Sequence, residues 1–235
     1  YASNLEDYHL YEILNYYEGN LRLKDSIIED FMNFNLKSRE KLPEMDYSKR
    51  WIYGISIDKR TPFHEIDSIF RILEKTRNYQ VFLLVNNIKD TSGFIMPIPL
   101  YSHALPSNFP DTLLLDNLIE LKKGIVYING KQSIGEQIDR KIKEILFKKE
   151  RVAICIDNST KYDSFIKILS HYHMYRQQFK ELYAELTFNK EYSWFYKLPK
   201  YFSEIKNKVD EEYRSKIYLF DNKKFSDKTI LVDNE

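Results

Sequence analysis

The sequence has little of several features that mark particular protein classes. It contains one cysteine, Cys155, so it cannot form an internal disulfide and is not a disulfide scaffold. Only six glycines are present, and none forms a phosphate-binding glycine-rich motif. No apolar run approaches the ~18–20 residues that a membrane-spanning helix needs. Lys and Arg total 36 against 35 for Asp and Glu, and a net charge of +1 argues against broad electrostatic binding of nucleic acid.

What the sequence does contain is enough apolar material for a folded core and an internal repeat. Hydrophobic residues make up 43% of the chain. Residues 55–63, ISIDKRTPF, align with residues 154–162, ICIDNSTKY, at a constant offset of 99. The shared pattern I-x-I-D-x-x-T-x-[FY] indicates two copies of one supersecondary unit. In each copy the isoleucines alternate as in a strand, and Thr61 or Thr160 is expected to be the N-cap of a helix.

Each copy is predicted to contain two helices and a final strand. Apolar residues at helical spacing follow each threonine; they are Phe63, Ile66, Ile69, Phe70 and Leu73 in the first copy and Tyr162, Phe165, Ile166, Leu169 and Tyr172 in the second. Upstream, Ser26 and Ser133 begin capping-box patterns that predict a further helix in each copy. Asn129-Gly130 predicts a hairpin turn, and Gly19 marks a weaker counterpart in the first copy. With this alignment, the distance from the turn to the motif is about twelve residues longer in the first copy than in the second. Strands are predicted after the second helices, at 80–85 and 180–188.

The predicted fold class is therefore α+β, with two small tandem units. Each unit is expected to run strand–turn–helix–strand–helix–strand, with the helices packed on one face of a short sheet. The expected boundaries are 1–88 for the first unit, 89–123 for a proline-containing linker or extended segment, 124–190 for the second unit and 191–235 for a C-terminal appendage. Within the appendage the sequence predicts a helix near 201–213 and strands near 216–220 and 229–232.

Two carboxylates are the natural candidates for chemistry. Asp58 and Asp157 each follow a predicted strand and precede a helix, a location that often holds catalytic or metal-binding carboxylates in α/β enzymes. The favoured alternative is structural, because a carboxylate ahead of a helix also interacts with its free amides. We assign Asp58, Thr61, Asp157 and Thr160 structural roles in the repeat motif, and we predict no catalytic residue, no metal ligand and no cofactor.

Other reactive side chains do not form a recognisable site in the sequence. His171 and His173 are two residues apart in a predicted helix and so face apart, which does not suit metal binding. Cys155 lies in an apolar strand without a basic neighbour to lower its pKa. Residues 192–202, YSWFYKLPKYF, interleave aromatics with lysines, which suits stacking on single-stranded nucleic acid or contact with a membrane interface. Packing on the second unit or contact with a partner protein is favoured for this segment.

The second copy resembles the extracytoplasmic domain of the ExbD/TolR family. The resemblance is carried by residues 125–132, IVYINGKQ, the helix at 134–147, residues 152–157, VAICID, and the helix from Tyr162. The first copy shares residues 55–63 and the helices. By this resemblance the chain is a non-enzymatic periplasmic module of a subunit of a transport motor driven by the proton-motive force.

The resemblance also implies partners and a location. The expected partners are an inner-membrane motor channel subunit, a TonB/TolA-like protein and further copies of the chain, with no nucleic acid. Contact with the membrane would come through a helix ahead of Tyr1 that this sequence does not include. Tyr183, Glu185 and Thr187, on the strand predicted at 180–188, are expected to bind the partner by strand addition. The alternatives are a nucleic-acid-binding protein that uses the aromatic C-terminal region, or a small metal-dependent enzyme centred on Asp58 and Asp157.

Overall fold

The structure of the protein is a computed structural model that describes residues 8–40, 50–76, 80–84, 93–97, 112–190, 203–213, 217–221 and 229–232. These residues form five α-helices, two main β-sheets and one two-stranded sheet. The predicted α+β class is confirmed. The aromatic segment 192–202 lies outside the described residues.

The first main sheet has six strands with two helices in the connections. In chain order the elements are β1 (Tyr8–Tyr17), β2 (Asn20–Leu23), β3 (Ser26–Ile27), α1 (Phe31–Glu40), β4 (Arg50–Ile57), α2 (Phe63–Lys75), β5 (Gln80–Leu84) and β6 (Gly93–Pro97). The spatial order is β3-β2-β1-β4-β5-β6. β4 lies parallel to both β1 and β5, whereas the other neighbours are antiparallel. The apolar stripe predicted for α2 is confirmed, because all five of its residues are buried.

The second main sheet has five strands. A separate two-stranded sheet is formed by the strand before them and the strand after them in the chain. The elements are β7 (Thr112–Leu115), β8 (Asn117–Lys122), β9 (Ile125–Ile128), β10 (Lys131–Ser133), α3 (Glu136–Lys148), β11 (Val152–Ile156), α4 (Tyr162–Phe188), α5 (Ser203–Glu212), β12 (Ile217–Asp221) and β13 (Thr229–Val232). The five-stranded order is β10-β9-β8-β11-β12, and β7 pairs with β13 in parallel. The helix and the two strands predicted for the appendage are confirmed.

The repeat extends to the order of elements in the two main sheets. The series β1-β2-β3-α1-β4-α2-β5 corresponds to β8-β9-β10-α3-β11-α4-β12, with α5 inserted before the last strand. Gly19 and Gly124 occupy the equivalent first turns, both with positive φ, and lie 105 residues apart. The counterpart of Gly19 is therefore Gly124 and not Gly130. Since the motifs are 99 residues apart, the first copy is longer by six residues rather than by about twelve.

The strand predicted at 180–188 is wrong. These residues form the C-terminal part of α4, which continues without a break from Tyr162 to Phe188. The buried positions Tyr172, Tyr175, Lys180 and Ala184 follow a helical period, and residues 180–188 contain Lys, Glu, Leu and Ala, which favour helices. β12 takes the place in the sheet that the sequence analysis assigned to this strand.

Both capping-box predictions are also wrong, because the two serines belong to hairpins. Ser26 begins β3, and Ser133 ends β10, where it pairs with Val126. The helices begin later: Asp30 accepts a hydrogen bond from the Asn33 amide (3.1 Å) ahead of α1, and α3 has Gly135 at its N-cap. Hydrogen bonds between strands thus prevail over the local capping pattern.

The chain divides into two compact units. The first comprises Tyr1–Asp111, Lys122–Gly124 and Ile156–Ser170, and the second comprises Thr112–Leu121, Ile125–Cys155 and His171–Glu235. These units differ from the boundaries expected at 88, 123 and 190. The difference arises in part because residues 156–162 of the second motif and the start of α4 belong to the first unit. The segment predicted as a linker or extended stretch contains β6, β7 and β8.

Candidate functional site: paired repeat motifs, polar clefts and sheet edges

The two repeat motifs, residues 55–63 and 154–162, pair with each other through their C-terminal parts, which both lie in the first unit. The Phe63 amide donates to the Thr160 carbonyl and the Tyr162 amide donates to the Thr61 carbonyl, both at 2.8 Å. Because these residues are equivalent at an offset of 99, the two bonds are related by an approximate two-fold axis. Pro62 faces Lys161 at the centre of this antiparallel bridge.

A second pair of bonds has the same reciprocal form. The His64 amide donates to the Asn158 carbonyl (3.4 Å), and its counterpart, the Asp163 amide, donates to the Lys59 carbonyl (3.1 Å). Beneath the bridge, the rings of Phe63 and Phe165 meet edge to face with centroids 5.2 Å apart. The motif is therefore self-complementary, as an isologous interface would be.

The predicted N-cap positions of the two threonines are off by one residue. Thr61 and Thr160 are buried, and their carbonyls take part in the bridge. The carbonyls of Pro62 and Lys161 accept the first helical hydrogen bonds instead, from Glu65 and from Phe165. The extended pairing between the motifs delays the start of both helices by one residue.

The carboxylates of Asp58 and Asp157 are hydrogen-bonded to residues of the turns in which they lie. Asp58 Oδ1 accepts the Arg60 amide (2.8 Å), and its Oδ2 pairs with the Arg60 guanidinium (2.9 Å). These hydrogen bonds lower the pKa of Asp58 from 3.8 to about 2. Asp157 Oδ1 accepts the Ser159 amide (2.7 Å) and is also bonded by the Ser159 hydroxyl. The described residues contain no group of three or more His, Cys, Asp or Glu side chains that could hold a metal ion.

The residues expected to bind a partner lie on a helix rather than on an edge strand. The Tyr183 ring packs edge to face on Tyr213, with centroids 5.8 Å apart. Glu185 and Thr187 are exposed, and the Glu185 carbonyl accepts the Asn189 amide as α4 ends. Strand addition at these three residues is therefore ruled out by their helical backbone, because its carbonyls and amides already pair along the helix.

The histidines that the structure describes with their side chains have separate surroundings. His64 Nδ1 lies 3.2 Å from the Asn158 carbonyl oxygen, and His171 Nδ1 lies 2.6 Å from Asp139 Oδ1. Burial, together with the positive charges of Arg176 and Lys180, lowers the pKa of His173 to about 3. Cys155 is buried in β11.

Each unit has a cleft between its small hairpin and the following helix. In the second unit the cleft measures about 680 Å³, and in the first unit about 750 Å³. In the wall of the second unit's cleft, Asn117, which is 1% exposed, donates a hydrogen bond to Glu150 (2.6 Å) and accepts one from Asn129 (3.3 Å). Lys148 pairs with Glu144 (2.9 Å) along its rim. Sequence reasoning missed this network, although Asn129 in the predicted Asn-Gly turn was a usable sign.

The ends of the two main sheets differ in how they are closed. β3 has two residues and β10 has three, and both lie mostly exposed. β6 closes the first sheet at its other end and finishes at Pro97. Among the strands that the structure describes, β12 is the last in the second sheet, with the five residues Ile-Tyr-Leu-Phe-Asp.

Comparison with known proteins gives no family assignment. No protein-family model matches the chain, and no curated protein or solved structure is significantly similar to it. In the described part of the chain, no helix combines the length and the apolar character needed to cross a bilayer.

Proposed function

We propose that this chain is a non-enzymatic extracytoplasmic module of an ExbD/TolR-like subunit of a motor driven by the proton-motive force. In this proposal it lies in the periplasm, joins an inner-membrane channel subunit, self-associates and binds a TonB/TolA-type protein. It transmits force through main-chain and packing contacts and requires no reactive side chain.

One observation carries the proposal: both repeats have the same order of hairpin, helix, strand, helix and strand. The family pattern that residues 124–188 resemble is strand, helix, strand and helix, and β9, α3, β11 and α4 follow in that order. The shared I-x-I-D strand, β4 or β11, has a neighbouring strand on both sides in its sheet, and its isoleucines are buried in both copies. An interaction module needs such a rigid sheet because its edges and faces present the contacts.

The reciprocal pairing of the motifs gives further support. By the resemblance, members of this family are dimeric, and an isologous contact is what a dimer of single-repeat subunits would use. The four hydrogen bonds around Pro62 and Lys161 would supply such a contact inside one chain. Association of whole chains would then use other surfaces, and sedimentation of the purified chain measures it directly.

The test is isolation of the complex from its own cells. The full-length protein carries an affinity tag at its chromosomal locus, is crosslinked in intact cells and is purified from solubilised membranes. Mass spectrometry is expected to identify a multispanning channel subunit and a TonB/TolA-type protein. The same tag on an unrelated periplasmic protein is the control.

Two outcomes would contradict the proposal. Recovery of the protein without any membrane partner, from a fraction free of membranes, would remove the motor assignment. Recovery with nucleic acid, with binding that falls steeply as salt rises, would favour the nucleic-acid-binding alternative instead.

A further inference from the structure

The repeat provides an internal template for what the end of the second sheet binds. In the first sheet, β5 lies beside the I-x-I-D strand and carries one more strand, β6, on its outer side. β6 is antiparallel, and its register runs from Gln80 opposite Pro97 to Leu84 opposite Gly93. In the second sheet, β12 has the place of β5, and the order of described strands ends there.

β12 also lacks the devices that protect the other sheet ends. Natural sheets blunt their edges with very short strands, charged residues or proline, because an unpaired strand edge recruits other strands. β3 and β10 are short, and β6 finishes at Pro97. β12 has five residues, no proline and four consecutive apolar residues before Asp221. Such a run is typical of a strand with neighbours on both sides.

We propose that β12 is a docking edge that receives one extended, uncharged segment of a partner protein, antiparallel and about five residues long. β6, with the sequence Gly-Phe-Ile-Met-Pro, is the chain's own example of such a segment. The identity of the partner as a motor protein rests on the proposed function. The location of the docking edge, the antiparallel direction of the bound segment and the stoichiometry of one segment per chain rest on the template alone.

The template favours a partner segment over the β12 strand of a second copy. Gly93 lies so close to β5 that a Cβ atom there would be 2.2 Å from the Leu83 carbonyl oxygen. The strand that fits this type of edge therefore has a glycine where it approaches its neighbour most closely. β12 contains no glycine, so two copies of β12 do not reproduce this feature.

The first experiment measures binding of a β6-sequence peptide to the purified 235-residue chain. The probe is a fluorescent peptide with the sequence of residues 93–97 and a lysine at each end. We expect saturable binding of one peptide per chain. Two matched peptides are N-methylated at alternate residues, at Gly93 and Ile95 or at Phe94 and Met96. Because only alternate amides of a strand face its neighbour, one of the two sets should weaken binding about tenfold or more while the other leaves it nearly unchanged.

The second experiment locates the bound peptide and gives its direction. Asp221→Cys places a thiol at the end of β12, and the native Cys155 is buried, at 1% exposure. By the template, a peptide with an N-terminal cysteine should form a disulfide with this variant, and one with a C-terminal cysteine should not. Lys131→Cys on β10 is the matched control at the opposite end of the same sheet and should remain unreacted.

Several results would overturn the inference. They are no saturable binding up to about 1 mM peptide, equal effects of the two methylation patterns, or reaction at Lys131→Cys instead of Asp221→Cys. Chain–chain disulfides of Asp221→Cys in a dimer would assign the edge to a second copy. If the peptide binds at β12 but no motor subunit is recovered from membranes, the docking edge stands and the proposed function falls.

Discussion

Coupling between Phe63 and Phe165 is the sharpest test of the paired motifs. Both rings are 0% exposed, and they meet at 5.2 Å with an interplanar angle of 67°. Substituting either residue by leucine keeps most of the buried volume and should lower the free energy of unfolding by about 1.5 kcal/mol. An edge-to-face pair contributes about 0.5–1.5 kcal/mol beyond burial. The double variant should therefore be more stable than the sum of the single losses predicts, by about 1 kcal/mol.

The measurement is a double-mutant cycle from urea unfolding of the four proteins, followed by far-ultraviolet circular dichroism. Phe147 and Phe179 are the matched control, because their centroids are 6.4 Å apart and Phe147 is 72% exposed. Their coupling should stay within about 0.3 kcal/mol, the scatter of independent sites. If the coupling of Phe63 and Phe165 is no larger than that of the control pair, the motifs do not pack as described.

Three further predictions concern individual residues. Asp58→Asn should lower the melting temperature near pH 6, and this difference should shrink as the pH falls from 4 to 2 and vanish below pH 2: the lowered pKa of Asp58 makes its charge stabilising above pH 4, and that stability is lost on protonation. Gly93→Ala should cost about 1–3 kcal/mol in urea unfolding because its Cβ would overlap the Leu83 carbonyl. Asn117→Ala should cost about 1–3 kcal/mol in the same assay, because it leaves buried polar groups unsatisfied.

Each of these predictions has a matched control. Arg60→Gln removes the guanidinium beside Asp58 and should produce the same pH dependence; a loss that is unchanged at pH 2 would contradict the ion pair. Gly130→Ala meets nothing within 4 Å and should cost only about 1 kcal/mol, from its positive φ. Asn20→Ala removes an exposed amide and should cost less than about 0.5 kcal/mol. For Gly93 and Asn117, a loss no larger than that of the control variant would contradict the cause given for it.

Local patterns predicted the elements best where burial and periodicity agreed. Ile55 and Ile57, which alternate with the period of a strand, and the stripe from Phe63 to Leu73, which has the period of a helix, were predicted correctly. Each pattern fits only one type of secondary structure. The stretch 180–188 was misassigned because the final strand of the first copy directly follows its helix, whereas that of the second copy does not. The helix is favoured there by its composition and by the burial of Ala184, and the missing strand comes after α5.

The candidate site was less accessible to sequence reasoning than the fold. The motif at Asp58 and Thr61 was found, but nothing in one sequence states that it pairs with its own counterpart, since such pairing depends on three-dimensional placement. The capping boxes failed for a related reason: Ser133 is hydrogen-bonded in a hairpin whose partner strand, β9, is not part of the capping pattern. The bridging role of Asn117 likewise depends on Glu150, 33 residues away.

The Pro62–Lys161 bridge has a consequence for how the two halves of the chain can differ. In a dimer of identical subunits, a residue on the two-fold axis meets itself, and every substitution is made twice. Two lysines there, for example, would place like charges together. Joining both halves in one polypeptide lifts this restriction, so a proline can face a lysine. The same freedom lets one helix extend to 27 residues while its counterpart keeps 13.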